Sequence, residues 1–168
     1  IAWGQAHPDI ALIEISETAL DEIGAWPWPR SYHAIMARLL NEWKAAAIIF
    51  DLDLSEPTDP KNDQDLAQSL AKIKTPIYIP VELKPKKEKK FWVHGMPVVL
   101  EKSEGQKVWV HAMPEFEKEV KVTGHSFLGP DPDGILRRFE PFADEGGEGH
   151  HFLPLRVAFD HMQLAVPA

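Results

Sequence analysis

Ala47-Ile48-Ile49-Phe50-Asp51-Leu52 is a short apolar run carried by β-branched and aromatic side chains, and it reads as a buried strand. Both flanks read as helices. Upstream, Ser31 is positioned to cap a helix running to about Lys44, with Ile35, Leu39, Leu40 and Trp43 as an apolar stripe at helical spacing. Downstream, Asp51, Asp53, Glu56 and Asp59 make an acidic loop. Asn62 then caps a further helix whose inward residues are Leu66, Leu70 and Ile73. Thr75 to Val81 (TPIYIPV) is the next strand, and Ile10 to Ser16 (IALIEIS) reads as an earlier one. Between that earlier strand and the Ser31 helix lies a helical turn, Glu17 to Ile23, capped by Ser16 and stopped at Gly24. The prolines of Trp26-Pro27-Trp28-Pro29-Arg30 forbid regular structure there. Strand, helix, strand, helix, strand with short links predicts an α/β fold with a parallel βαβαβ core flanked by helices.

The second half has a different texture. Lys84 to Lys90 (KPKKEKK) reads as a solvated loop. Two strands are then expected to form a hairpin about Ser103-Glu104-Gly105-Gln106. Each carries one copy of a hexapeptide, Trp92-Val93-His94-Gly95-Met96-Pro97 and Trp109-Val110-His111-Ala112-Met113-Pro114. Val120 to Leu128 is a further strand candidate. Asp131-Pro132-Asp133-Gly134 is a strong turn signal before a strand-like stretch from Ile135 to Phe142. Gly146-Gly147-Glu148-Gly149 reads as a loop. A closing helix is predicted from Leu153 to about Leu164, with Leu155, Phe159 and Met162 inward. The sheet is therefore expected to be mixed, its parallel core extended by antiparallel strands from the second half.

A chain of 168 residues fits one domain and can bury a core without disulfides. Its 18 Lys plus Arg against 26 Asp plus Glu give a net charge of −8, the wrong sign for a nucleic-acid binder. With no cysteine, thiolate catalysis, cysteine-ligated zinc and disulfides are excluded. No apolar run approaches the roughly 18 residues of a membrane span. The start at Ile1, without Met or a signal-peptide pattern, reads as a piece of something longer.

Three features could carry chemistry. The strand ending in Asp51-Leu52-Asp53 resembles the first motif of haloacid-dehalogenase-like phosphohydrolases, in which two carboxylates and magnesium work on phosphorus. Leu54-Ser55 stands where that family has Gly-Thr, however, and the later acidic motif that completes the metal site is missing. The duplicated hexapeptide could gather His94, Met96, His111 and Met113 into a soft set suited to copper, although cross-strand packing explains the repeat as well. His150-His151 could bind metal from a glycine-rich loop, and His33 is expected to pack, partly buried, near a helix start.

A larger pattern joins Ile10 to Ser16, Leu20, Gly24, Trp26-Pro27-Trp28-Pro29-Arg30, His33, Leu39-Leu40, Phe50-Asp51 and Glu56-Pro57. With Gly124-His125 and Asp131-x-Asp133-Gly134-Ile135-Leu136-Arg137-Arg138, it resembles the CHASE type 2 domain, a sensory module associated with cyclases and histidine kinases. The resemblance covers most of residues 9 to 160. It implies one extracytoplasmic (periplasmic or extracellular) sensor domain over residues 1–168, with a core at 9–82, a variable hairpin region at 84–122 and a second family block at 123–164.

Such a domain would be the signal input of a plasma-membrane receptor, flanked by transmembrane helices. The output would be a cytoplasmic histidine kinase, as in two-component systems, or an adenylate or diguanylate cyclase. A homodimer in the full receptor, a small-molecule or protein stimulus, no cofactor, no metal and no catalysis in this segment are the matching expectations. Trp26, Trp28, Arg30, Asp51 and Arg137 are the candidates for ligand contact. Structural roles are open to them too: the indoles can pack, Arg30 can pair with a carboxylate such as Asp51, and Arg137 or Arg138 can point inward to one.

Overall fold

A computed structural model of the chain describes residues 7–86, 89–93, 96–101, 106–126, 128 and 139–165. Helix α1 (Glu17–Ile23) starts where Ser16 Oγ accepts the Ala19 N–H, and it stops at Gly24, whose φ is 117°. Helix α2 (Arg30–Glu42) starts one residue before the predicted cap, directly behind Pro29. It closes with the Ala45 N–H on the Leu40 carbonyl and the Lys44 N–H on the Asn41 carbonyl. That is a Schellman motif, with Lys44 at φ 60° where glycine is commoner. Helix α3 (Pro60–Lys72) is capped by Asp59, whose Oδ1 accepts the Asn62 N–H at 3.0 Å; the predicted cap, Asn62, is the donor.

The parallel core has three strands, one of them not the strand predicted. β1 (Ile48–Ile49) runs parallel to β2 (Ile77–Pro85), with Ile48 opposite Ile77 and Ile49 opposite Tyr78. The third strand is β6 (Val122–His125), pairing parallel with β2 from Tyr78 opposite Val122 to Val81 opposite His125. Ile10 to Ser16 forms no strand. It is an exposed segment without regular structure, Leu12 being 86% accessible, and α1 after it buries nothing. A strand-like pattern is local, whereas a strand needs a partner edge, and here the third place beside β2 is filled from the second half.

Beyond Val81 the same strand changes partners. Glu82 to Pro85 pair antiparallel with β5 (Lys107–Val110), Pro85 lying opposite Lys107. The predicted lysine-rich loop is therefore partly strand: Lys84 belongs to β2, and Lys89 and Lys90 open β3 (Lys89–Val93). β3 pairs with β4 (Met96–Glu101), so the hairpin forms inside the first hexapeptide copy, and the two copies are not partner strands. α4 (Pro114–Glu117) follows β5. β7 (Phe142–Glu145) and β8 (Glu148–His151) form an antiparallel hairpin, correcting the loop reading of 146–149. Gly146 and Gly147 supply the turn with φ of 67° and 85°, the pair of left-handed residues such a turn requires. The predicted turn at 131–134 and the first four residues of the predicted strand Ile135 to Phe142 lie outside the described residues; of the rest, 139–141 are not strand and Phe142 opens β7. α5 (Leu153–His161) closes the chain with Leu153 as its buried residue; Leu155 and Phe159 are half-buried and Met162 is exposed, contrary to expectation.

Ile77 to Val81 is buried at every position, as a parallel strand covered on both faces should be. Ile77 and Ile79 pack with Ile48, Phe50 and Leu54 against α2 and α3, while Tyr78 donates its hydroxyl to Asp160 of α5. α2 presents Arg30, Ala34 and Ala37 to this core, and of the predicted stripe Leu40 packs against it and Leu39 is half-buried, whereas Trp43 is 69% accessible and Ile35 is exposed. Small side chains at Ala34 and Ala37 let α2 lie close, while Ile35 and Trp43 are turned away. α3 meets the expectation, with Leu66 and Leu70 buried and Ile73 packed at the margin.

Gly124 sits where β6 passes the end of β8. A Cβ there would fall 2.7 Å from the His151 carbonyl oxygen and 3.0 Å from Leu153 Cα, both backbone atoms. Gly124→Ala is therefore expected to cost about 1–3 kcal/mol in urea unfolding, because backbone cannot swing aside as a side chain can. A variant as stable as the parent would show that these two segments can separate freely.

Candidate functional site

The Trp-Pro-Trp-Pro-Arg stretch divides into an outer and an inner part. Trp26 and Trp28 meet edge to face at 5.9 Å, Trp26 lies 5.6 Å from His33, and Trp28 lies 6.4 Å from Tyr32. The Trp28 indole N–H donates to the Gly24 carbonyl at 2.7 Å, which fixes the loop entering α2. The Trp26–Pro27 peptide bond is cis. Trp26 remains exposed, so this cluster offers an aromatic surface beside the start of α2. His33 is half-buried as predicted, and burial, helped by the Arg30 charge, pushes its imidazole below its ordinary value.

Arg30 points the other way. It is 4% accessible, and its Nη1 donates to Asp63 Oδ1 at 2.9 Å and Nη2 to the Glu56 carbonyl at 2.7 Å. The Met113 sulfur lies 3.3 Å from Nη1, and the guanidinium stands 4.9 Å over the Phe116 ring. The expected partner, Asp51, is an exposed residue after β1; α3 brings Asp63 underneath instead. Asp63 also accepts the Thr58 N–H at 2.9 Å and the Thr58 hydroxyl at 2.6 Å. Burial pushes the Asp63 carboxyl up, but the Thr58 donors and Arg30 outweigh it and hold the group below its ordinary 3.8. This stabilises the fold fully above that value and is lost as pH falls through the lower folded-state value. Asp63→Asn is thus expected to lie furthest below the parent in urea midpoint at neutral pH, the gap closing in acid. A constant gap would mean that Asp63 does not titrate below its unfolded value.

Asp53 is also engaged. Lys84 Nζ reaches it at 2.6 Å, and the Ser55 hydroxyl and N–H donate to it. Burial works against these donors but is outweighed, and the Asp53 carboxyl is held down at about 2. Asp51 and Asp53 therefore form no cluster with further metal-ligating side chains among the described residues. Arg137 and Arg138 lie outside those residues, as does His94.

A second site was only partly visible in the sequence. Trp109 and His111 lie two apart along and just beyond β5, and Glu148 and His150 lie two apart on β8, so each pair shares a face. The Trp109 indole N–H donates to the Glu148 carbonyl at 2.8 Å, and its ring meets that of His150 at 4.8 Å, fixing the hairpin beside β5. Glu148 Oε1 then lies 2.6 Å from His111 Nε2 and 2.8 Å from His150 Nε2, while His111 Nδ1 lies 2.8 Å from Glu117 Oε1. Burial tends to push the His111 ring down, but the two carboxylates outweigh it and hold it above its ordinary value. His150 foremost, with His111, holds Glu148 low against the effect of burial. His150 and His111 were legible as candidates. Glu148 and Glu117 were not, because nothing local links β5, the β7–β8 turn and α4. Met113, proposed as a soft ligand beside His111, lies instead against Arg30.

Comparison with known families finds a match to the model described as the CHASE2 domain, over residues 1–167. No curated protein and no solved structure matches the chain.

Proposed function

This chain belongs to the CHASE2 domain family, a family of extracytoplasmic sensory domains, and from that membership we propose that it is the signal-input segment of a transmembrane receptor. The observation that carries the reading is the family match across nearly the whole chain. Among the described residues no helix is long and apolar enough to cross a membrane; on the receptor reading, the anchoring spans would flank this segment. The segment itself would turn over no substrate. Its output would be a cytoplasmic kinase, nucleotide cyclase or diguanylate cyclase.

A stimulus acts on such a domain only through different affinities for two conformations, which the flanking helices then report. Exposed Trp26 with Trp28 offers aromatic apolar surface for a small molecule or a partner protein, and we assign first contact to them, with Asp51 and Arg137 as further candidates. Arg30 would contribute only if a stimulus broke its pair with Asp63. The receptor would work as a homodimer, which sedimentation of the full-length protein would report.

The test is a topology reporter, active only outside the cytoplasm, inserted beside Lys86 in the full-length protein. Activity is expected. A silent reporter in a protein shown to be expressed and membrane-bound would place the segment in the cytoplasm and sink the receptor reading. A phosphatase assay with Asp51→Asn as its control would then be the next step.

A further inference from the structure

We propose that His111, Glu148 and His150 form a binding site for a divalent metal ion of the zinc class. This stands on geometry independent of the sensory reading. Their ligand atoms all lie within 4.8 Å of one another and come from two separate sheets, His111 just beyond the end of β5 and Glu148 and His150 on strand β8. Two imidazoles and a carboxylate are the donor set of many zinc sites that keep one position open. With both histidines half-buried and Glu148 exposed, that position is left to water.

The surroundings fit an ion as well as the ligands do. A metal-bound histidine commonly gives its other ring N–H to a carboxylate, which fixes the tautomer and turns the free nitrogen towards the metal. Glu117 occupies that position on His111, 2.8 Å from Nδ1, leaving Nε2 towards Glu148. Trp109 holds the backbone of Glu148 and the ring of His150, so two of the three ligands are anchored by a side chain that is itself 9% accessible.

Glu148 Oε1 now stands 2.6 Å and 2.8 Å from the two imidazole nitrogens, hydrogen-bond distances bridged by protons. Tetrahedral zinc with bonds of about 2.0–2.2 Å spaces its ligand atoms by roughly 3.3–3.5 Å. An ion replacing those protons therefore asks Glu148 to part from each imidazole by under about 1 Å and the two imidazoles, whose ligand nitrogens lie within 4.8 Å, to close by roughly 1–1.5 Å, shifts within reach of rotamer adjustment. Magnesium and calcium prefer six or more oxygen ligands and do not suit two nitrogens. A thioether, which would favour Cu(I), is not in the set. Bound metal would tie β5 directly to the β7–β8 hairpin.

The experiment titrates the purified chain with ZnCl2 by calorimetry and with CoCl2 by visible absorption. One saturable equivalent is expected for each, cobalt giving the d–d band of a four- or five-coordinate site, and MgCl2 giving no heat. His111→Ala and Glu148→Gln should abolish binding, Glu117→Gln should weaken it about 10- to 100-fold, and His161→Ala should leave it unchanged. Circular dichroism confirms that each variant is folded; Glu117→Gln, which removes no ligand, keeps the comparison available if a ligand variant fails to fold. No saturable zinc binding, or wild-type affinity in folded Glu148→Gln and Glu117→Gln, would overturn the proposal.

Discussion

Replacing Arg30 by alanine is expected to destabilise the protein by about 3–5 kcal/mol, the usual cost of removing one partner of a buried ion pair. Arg30 and Asp63 are 4% and 6% accessible, so water cannot replace the lost partner. The change also strips the Glu56 carbonyl of its donor and opens space against Phe116 and Met113. Much of the loss comes from the carboxylate left behind. Arg30→Met combined with Asp63→Asn should therefore recover part of it, because no buried charge remains uncompensated. Arg30→Lys should recover little: an ammonium is a point charge and cannot hold Asp63 and the Glu56 carbonyl in one planar fork. Urea midpoints at neutral pH measure all three. A loss below about 1 kcal/mol for the alanine variant would place the pair with solvent-screened surface bridges and refute the argument.

Phe116→Ala should cost a comparable amount, about 3–5 kcal/mol, for a different reason. The side chain is 0% accessible, and it is the sole buried residue of the four-residue helix α4. Truncation loses the transfer of the ring from water, leaves a cavity in the core that Phe116 shares with Leu54 and Leu66, and removes the face under the Arg30 guanidinium. So short a helix has little else to hold it, and α4 carries Glu117, so the carboxylate on His111 should loosen as well. Phe116→Leu, which keeps most of the volume, should lose markedly less. Because Phe116 touches Arg30, the two alanine substitutions should not be additive, and a double-mutant cycle reads their coupling. Additive losses would mean that the ring and the guanidinium do not support one another.

Much of the architecture was legible because its signals are local. Ile48–Ile49 and Ile77–Val81 announced strands, Ser16 and Gly24 bracketed a helix, and Leu66 and Leu70 faced inward as their spacing requires. The larger failures were choices of partner. Ile10 to Ser16 carries strand chemistry, but β6 takes the place beside β2 from more than a hundred residues further along. The acidic loop and the helix after it offered Arg30 several carboxylates, and only the placement of α3 selects Asp63 over Asp51. The Trp26–Arg30 stretch carried the family resemblance, yet whether it points to solvent or core differs between its indoles and its guanidinium. His111 and His150 were both visible as histidines. Their meeting at Glu148 depends on β5 lying against a hairpin that was read as a loop.

The close of β2 on β5 has a consequence for how the domain can change. Lys86 N–H donates to the Gln106 carbonyl at 2.8 Å, one residue beyond the Pro85–Lys107 pair. The chain thus leaves the sheet after Lys86 and returns to it at Gln106, so the sequence between them joins the sheet at two neighbouring points of a single seam. Exchanging that sequence for another module changes the closure entropy slowly, by about 0.6 kcal/mol per doubling of loop length. The seam is a natural place for the domain to gain, lose or trade a whole appendage while the parallel core and the buried arginine stay as they are.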